Sequence, residues 1–205
     1  MIVHPIGMMR ANAAAGAEVV INFTSGEGYT LGETLYSRSD WTSPLGYGYV
    51  TVADNSGTRV ARFDAPAAAQ TFIGETFTDD REVYVILHDR NLTPGVLMRL
   101  DLYHTDNANR ASAQMDVGGY VSFRQFIDNV EQANTGSVNT GAAPAANDKL
   151  TIARSGSTIT VKKNDTTIIT KTLVGTPASA PPAIFADAGT TPPYREIREF
   201  GAKDL

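Results

Sequence analysis

The residues with side chains suited to catalysis are few and scattered along this sequence. Its three histidines, His4, His88 and His104, lack the spacing that is typical of a zinc site. No Gly-x-Ser-x-Gly segment marks a nucleophile, although a catalytic triad is spatial and is not excluded by counting. The absence of cysteine excludes disulfides and thiolate metal ligands. These observations favour a scaffold that binds over an active site.

Two groups of acidic and amide side chains are candidates for catalysis or metal binding. Residues 79–82 form the nearest carboxylate cluster, at the predicted entry to a strand, where a solvated turn is the simpler interpretation. Asp101, Asp106, Asn107 and Asn109 offer oxygen ligands near one loop, but their spacing does not match an EF-hand. We therefore expect no cofactor, with a calcium ion as the alternative.

The single tryptophan is the candidate for stacking on a sugar. Trp41 lies beside Asp40 and close in sequence to Tyr47 and Tyr49, so these four residues would supply the flat ring and the polar groups of a sugar site. The alternative is that Trp41 packs beneath a loop, which is the usual place for a lone tryptophan in a sandwich. The sequence leaves both interpretations open.

The elements that must position these residues are predicted to be strands. Between Lys149 and Leu173, apolar and polar residues alternate with the period of two that is typical of a half-buried strand. Ser155-Gly156 and Asn164-Asp165 suit the tight turns of hairpins. This segment therefore predicts a three-stranded antiparallel meander.

Upstream segments show the same alternation, with one ambiguous exception. Predicted strands lie in "YGYVTVADNSGTRVARF", "EVYVILHDR", "GVLMRLDLYH" and "GGYVSFRQF". Phe123, Phe126, Ile127 and Val130 have helical spacing, so the last strand is predicted to run into an irregular or one-turn helical segment. Residues 132–148 are predicted to be a polar loop. Strand signals at this spacing, with turns between them, indicate one β-sandwich.

Composition and charge narrow the possible partners. The chain has 205 residues, a length that fits one all-β domain, and a formal net charge of −5. Its basic residues are too sparse for the clustered positive face that nucleic acid binding requires. No apolar run approaches the roughly 18 residues of a membrane-spanning helix. We therefore expect no nucleic acid partner and no membrane span.

The N-terminal segment, residues 1–18, is predicted to be an arm ahead of a single domain over residues 19–205. It lacks the basic and continuously apolar regions of a signal peptide. Five apolar side chains are crowded in this arm: Ile2, Val3, Ile6, Met8 and Met9. Because such side chains gain free energy when buried, we expect them to pack on a neighbouring subunit. Packing on the arm's own domain is the alternative.

The order of these pieces resembles that of a concanavalin-A-like, or laminin-G-like, jelly roll. The segment "VVINFTSGEGYTLGETLYSRSDWTS" is similar to the opening of such domains, and "TFTDDREVYVILHD" is similar to the entry of one of their strands. "GVLMRLD" and "GGYVSFRQF" resemble their central paired strands, and "DKLTIARSGSTITVKKND" resembles their run of strand, turn and strand. "AIFAD" and "REIREFGAKDL" resemble the last strand and its exit. The resemblance extends from Val19 to Leu205.

The resemblance implies an all-β fold, an antiparallel two-sheet jelly-roll sandwich. Single domains of this kind without cysteine or signal peptide are frequent in tailed-bacteriophage virions. This implies a structural or accessory protein of the particle, with capsid decoration preferred, and a homo-oligomer beside capsid or tail protein. The alternative is a carbohydrate- or host-receptor-binding module of a phage tail or of a secreted protein, with a surface glycan as its partner.

Glycan-cleaving members of this fold carry carboxylates in a Glu-x-Asp-x-x-Glu pattern on one strand. These groups supply the acid, the nucleophile and an orienting carboxylate. No such triplet occurs in this sequence. The sequence therefore predicts a protein that is not an enzyme and that releases no sugar from polysaccharides.

Overall fold

The computed structural model describes residues 16–43, 48, 50–63, 67–88, 97–106, 108–175, 180–187 and 195–205. Within these ranges the chain forms sixteen strands and two short 3-10 helices, Ser25–Glu27 and Leu35–Ser37. In this part of the chain no helix is long and apolar enough to cross a membrane. The strands are β1 (Glu18–Ile21), β2 (Trp41–Thr42), β3 (Val50–Asn55), β4 (Thr58–Phe63), β5 (Ala67–Phe72), β6 (Arg81–Leu87), β7 (Leu97–Asp106), β8 (Asn109–Asp116), β9 (Tyr120–Ile127), β10 (Val130–Glu131), β11 (Gly136–Asn139), β12 (Lys149–Ser155), β13 (Thr158–Lys163), β14 (Thr166–Thr172), β15 (Ala183–Asp187) and β16 (Arg195–Asp204).

The strands form two sheets. Sheet A has the order β14-β13-β12-β6-β16-β4-β3, and β1 pairs with the second half of β16. Sheet B has the order β10-β9-β8-β7-β15-β5-β2, and β11 pairs with β9. All these strand pairs are antiparallel. The predicted fold class, an all-β two-sheet antiparallel sandwich, is therefore confirmed.

One apolar core lies between the sheets. Alternate residues of the strands point inward, and most of the buried apolar side chains from both sheets belong to one cluster. Trp41 of sheet B is at its aromatic centre, with its ring edge-on to Phe72 and to Phe200 of sheet A, at centroid distances of 5.2 Å for each pair. Such pairs add stabilisation beyond the area that they bury.

The amide of Gln70 interrupts this core. Gln70 lies on β5 opposite Ile184, which faces the core, and it is fully buried. Neither its amide nitrogen nor its amide oxygen has a hydrogen-bond partner among the described residues. A buried amide without partners opposes folding, because it loses its bonds to water.

Gln70→Leu is therefore expected to stabilise the protein. The change removes the unsatisfied amide at similar volume, and we expect the free energy of unfolding in urea to rise by about 1–2 kcal/mol. Gln132→Leu is the control, because Gln132 is half-exposed and its amide already donates to the Val130 carbonyl (2.8 Å). A loss of stability in Gln70→Leu would contradict this account of the core.

Two sequence predictions about the middle of the chain are wrong. The segment with helical spacing is a hairpin: β9 continues to Ile127, Asp128 and Asn129 form the turn with positive φ, and β10 follows. Phe123 and Phe126 consequently lie on opposite faces, as odd spacing on a strand requires. The predicted loop over residues 132–148 contains β11, which pairs with β9.

Candidate functional site

The outward face of sheet B across β7, β8 and β9 carries rows of polar and aromatic side chains. Residues that are directly opposite in antiparallel strands share a face, and the register aligns Arg99 with Gln114, and Gln114 with Ser122. A second row joins Asp101 to Ser112. The outward side chains of these strands, which we call the β7–β9 face, are Arg99, Asp101, His104, Arg110, Ser112, Gln114, Asp116, Tyr120, Ser122, Arg124 and Phe126.

A β-bulge in β7 brings Asp101 and His104 to the same face. Residues three apart in a regular strand point in opposite directions. The register of β7 shifts between Asp101 and Tyr103, so Tyr103 lies opposite the buried Ala111 and His104 lies opposite Arg110. The bulge therefore turns His104 outward, beside Asp101.

Arg99, Asp101 and His104 form a buried charged cluster. Asp101 Oδ2 lies 2.7 Å from His104 Nδ1, and Asp101 Oδ1 lies 2.9 Å from Arg99 Nε. The Arg99 guanidinium carbon is 4.2 Å from the ring centroid of Phe185. Because the carboxylate of Asp101 is fully buried, these two partners supply the compensation that a charge removed from water requires.

The same cluster has the spacing of the Glu-x-Asp-x-x-Glu pattern, with Arg99 and His104 in place of the glutamates. β7 thus carries one outward carboxylate at these three positions, where the pattern has three. The sequence alone does not predict the cluster, because regular alternation along "GVLMRLDLYH" places Tyr103, and not His104, on the face of Asp101. The spacing of Arg99, Asp101 and His104 is the signal that points to it.

The β9 side of this face is open to solvent. Four outward residues of β9, which we call the β9 strip, line it: Tyr120, Ser122, Arg124 and Phe126. Tyr120 is 45% exposed, and the other three are half-buried. Tyr120 and Phe126 are six residue positions apart along the strand, which corresponds to about 20 Å. The strip therefore has an aromatic ring at each end and polar side chains between them.

The turn before β9 fixes the position of Tyr120. Asp116 Oδ1 accepts the backbone N–H groups of Gly118 (2.9 Å) and Tyr120 (3.0 Å). The Gly119 carbonyl accepts both the backbone N–H (2.9 Å) and the hydroxyl (2.8 Å) of Thr140. The chain that carries Tyr120 is consequently held from both sides, and a rigid residue loses little conformational entropy on binding.

Two arginines surround the ring at the other end of the strip. The guanidinium carbons of Arg110 and Arg124 lie 3.9 Å and 4.9 Å from the ring centroid of Phe126. Arg124 also forms two parallel bonds to Glu131, at 2.7 Å and 2.8 Å. The hydrogen bonds from Arg124 lower the pKa of the Glu131 carboxyl. Both partners are more than a third exposed, so this pair contributes little to stability.

The structure places Trp41 in the core. Its side chain is 2% exposed, and its indole N–H donates to the Tyr29 hydroxyl (3.1 Å), which in turn donates to Asp40 Oδ2 (3.3 Å). A ring that is almost completely buried has no surface for a sugar, so Trp41 supports the fold here. Asp40 is half-buried at the end of this hydrogen-bonded chain.

Seven other predicted site residues fall outside the described residues: Ile2, Val3, Ile6, Met8, Met9, Tyr47 and Tyr49. The partner-binding arm therefore stays a prediction. Close to its predicted end, the Ala17 backbone N–H donates to Asp204 Oδ2 (2.9 Å), and the Asp204 N–H donates to the Ala17 carbonyl (2.8 Å).

Among the residues considered for calcium, those that the structure describes do not assemble into one site. Asp101 is buried in the cluster with Arg99, whereas Asp106 Oδ1 accepts the backbone N–H of Asn109 (2.7 Å) in the β7–β8 turn. Asn107 lies outside the described residues. Across the ranges that the structure describes, no group of three or more acidic or histidine side chains is placed to hold a metal ion.

The carboxylates of residues 79–82 are also separated. Asp79 and Asp80 lie 3.6 Å and 3.8 Å from nitrogens of Arg154. Glu82 instead lies on sheet A, where its carboxylate is 3.1 Å from Lys162 Nζ. These residues therefore form ion pairs rather than a facing pair of carboxyl groups.

Comparisons with known proteins define the fold. No family model and no curated protein matches the sequence. A β-glucanase from Bacillus licheniformis matches 93% of this chain over 99% of its own, with a TM-score of 0.60 and 14% identity. Carbohydrate binding module CBM66 from Bacillus subtilis matches 78% of this chain over 91% of its own, with a TM-score of 0.56 and 13% identity. The exoplasmic/lumenal domain of VIP36, in its Ca²⁺/Man3GlcNAc-bound form, matches 84% of this chain over 86% of its own, with a TM-score of 0.57 and 14% identity.

These matches correct the prediction that the protein is not an enzyme. Several further matched structures are glycoside hydrolases, so the fold is compatible with an enzymatic role as well as with binding. At such low sequence identity, the similarity shows the fold alone. The chain has the concanavalin-A-like jelly-roll fold that its sequence resembles.

Proposed function

We propose that the protein binds a glycan along the β9 strip. The observation that carries this proposal is the exposed ring of Tyr120, at one end of an outward strand face that continues with Ser122 and Arg124. A sugar offers an apolar C–H face to such a ring and hydroxyl groups to the polar side chains beside it. The strip provides both kinds of contact on a strand that is paired with β8 on one side and with β10 and β11 on the other.

The matched structures support a glycan as the ligand. They include a carbohydrate-binding module and a domain solved with Man3GlcNAc, each with the same fold over at least 78% of this chain. We therefore prefer the interpretation as a carbohydrate-binding module, which the sequence offered as the alternative to a virion role. The virion role, with capsid decoration as its preferred form, stays a prediction, as do the partner subunits, the homo-oligomer and the location in the particle.

Tyr120→Ala is expected to weaken glycan binding about tenfold or more, the equivalent of about 1.4 kcal/mol. The tyrosine ring is the most exposed aromatic surface of the strip, and its removal deletes the apolar contact with the sugar. Binding is measured first on an array of oligosaccharides and then by calorimetry with the best ligand. The same samples are assayed for new reducing ends, since hydrolases share the fold.

Tyr36→Ala provides the matched control. Tyr36 is 52% exposed in the 3-10 helix Leu35–Ser37, which contacts β2 and β3, at the other edge of the molecule. The control should bind as the unmodified protein does. Equal affinity of Tyr120→Ala and Tyr36→Ala, or no binding to any glycan, would overturn the proposal.

A further inference from the structure

We propose that Gln114 determines which sugar the β9 strip accepts, because its amide binds two adjacent hydroxyl groups of the sugar that stacks on Tyr120. This inference rests on the proposed function and adds the residue that reads the ligand and the feature that it reads. A glutamine amide offers an acceptor oxygen and two N–H donors. Two adjacent ring hydroxyl groups supply a donor for the oxygen and an acceptor for the nitrogen, so the amide and the sugar are complementary.

Gln114 lies beside the strip, on the outward face of sheet B. The register places it directly opposite Ser122 of β9, and Tyr120 is the next outward residue of that strand. Diagonal neighbours of this kind in antiparallel strands are about 7–8 Å apart, a distance that long and aromatic side chains bridge. A sugar on the Tyr120 ring therefore comes within reach of the Gln114 amide.

The Gln114 amide lacks a partner in the protein. Gln114 is only 6% exposed, and within the part of the chain that the structure describes nothing forms a hydrogen bond with its amide. The amide of Gln70 is also unpaired, but it is sealed in the core, whereas Gln114 projects outward and its amide is not sealed. A polar group that is withdrawn from water without a partner opposes folding, and a ligand supplies the missing bonds.

The polar neighbours of Gln114 on both adjacent strands are engaged with other residues. On β9, the Ser122 hydroxyl shares a hydrogen bond with the Ser137 hydroxyl (2.9 Å). On β7, Arg99 lies opposite Gln114 and is held by Asp101, at 2.9 Å. A bond from Gln114 to either neighbour would compete with one of these pairs, so the amide stays available to a ligand.

The test is a double-mutant cycle between the Gln114 amide and the sugar hydroxyl groups. The best ligand from the array is prepared as a series in which one ring hydroxyl at a time is replaced by hydrogen. The unmodified protein should bind the members that lack either of two adjacent hydroxyl groups about tenfold more weakly than the parent sugar. Gln114→Met keeps the length of the side chain and removes the amide, so it should bind those members and the parent equally.

Gln70→Leu is the matched control, because it removes an unpaired amide from the core of the same sandwich. It should discriminate among the series as the unmodified protein does. Discrimination that persists in Gln114→Met would overturn this inference. Equal binding of the parent and every deoxygenated member, with binding lost in Tyr120→Ala, would overturn it and leave the proposed function in place. No binding to any glycan would overturn both.

A second measurement does not depend on the folding of Gln114→Met. In the ¹⁵N-labelled unmodified protein, the side-chain N–H signals of Gln114 are followed while the parent sugar is added to saturation. They should shift with the parent and shift less with the members that lack an adjacent hydroxyl group. Gln114 side-chain signals that do not move when the parent binds would overturn this inference.

Discussion

Asp101→Ala is expected to lower the free energy of unfolding by about 3–5 kcal/mol. The substitution removes a fully buried carboxylate and leaves the buried Arg99 guanidinium and the His104 ring without their shared partner. The loss of a buried counter-charge is costly, because water does not replace it in the interior. Urea unfolding measures the change.

The control for this prediction is Asp165→Ala. Asp165 also forms an ion pair, at 3.0 Å from Lys149 Nζ, but its side chain is 75% exposed. Its removal should change stability by less than about 0.5 kcal/mol. The double variant Arg99→Met/Asp101→Leu, which removes both charges, should lose less than Asp101→Ala. A stability of Asp101→Ala within about 1 kcal/mol of the unmodified protein would contradict the account of the cluster.

Gly119→Ala is expected to destabilise the protein by about 2–4 kcal/mol. Gly119 has a φ of +81°, which disfavours any residue with a Cβ, and a Cβ built there would overlap the carbonyl oxygen of Ala142. That oxygen belongs to the backbone, so a side-chain rotation cannot relieve the contact. The turn that carries Tyr120 would have to move, and glycan affinity should fall together with the melting temperature.

Gly57→Ala separates the cost of the positive φ from the cost of the overlap with Ala142. Gly57 has a similar φ of +85° in the β3–β4 turn, but no atom lies within 4 Å of the position of an added Cβ. This variant should show the backbone cost alone, about 1 kcal/mol, with glycan binding unchanged. Equal losses of stability in the two variants would contradict the proposed contact with Ala142.

The meander over β12, β13 and β14 could be predicted because period and turn chemistry agree there. Its outward residues are polar, its inward residues are apolar, and Asn164 and Asp165 adopt the positive φ expected of them. The first turn differs by one residue, since β12 includes Ser155 and β13 begins at Thr158. Local sequence therefore predicts strands and turns well where one face of the sheet is exposed to solvent and the other packs on the core.

The charged cluster of β7 could not be predicted in the same way. Its assembly depends on a bulge that is visible only in the pairing of β7 with β8, and a single inserted residue exchanges the faces of all that follow. The β9 strip was within reach, because Tyr120, Ser122, Arg124 and Phe126 alternate with Val121 and Phe123 in the sequence. The strip was not predicted as one strand face because the helical spacing of apolar residues over 123–130 competed with that alternation.

The burial of Trp41 shows a further limit of predicting a binding site from sequence. A lone tryptophan beside an aspartate and two tyrosines has the composition of a sugar site, and composition carries no information about burial. The contacts with Phe72 and Phe200 come from strands distant in sequence. These tertiary contacts place Trp41 in the core, and the surface that we propose for a glycan lies on another strand.

The central claim, that the β9 strip is the ligand surface, is tested most directly by a titration of the ¹⁵N-labelled protein. The backbone amide signals are followed while the tightest-binding oligosaccharide from the array is added. We predict that the largest shifts fall on β8 and β9, with Tyr120, Arg124 and Phe126 among them. Largest shifts on the outward face of sheet A, around Tyr84 and Lys149, would contradict the claim.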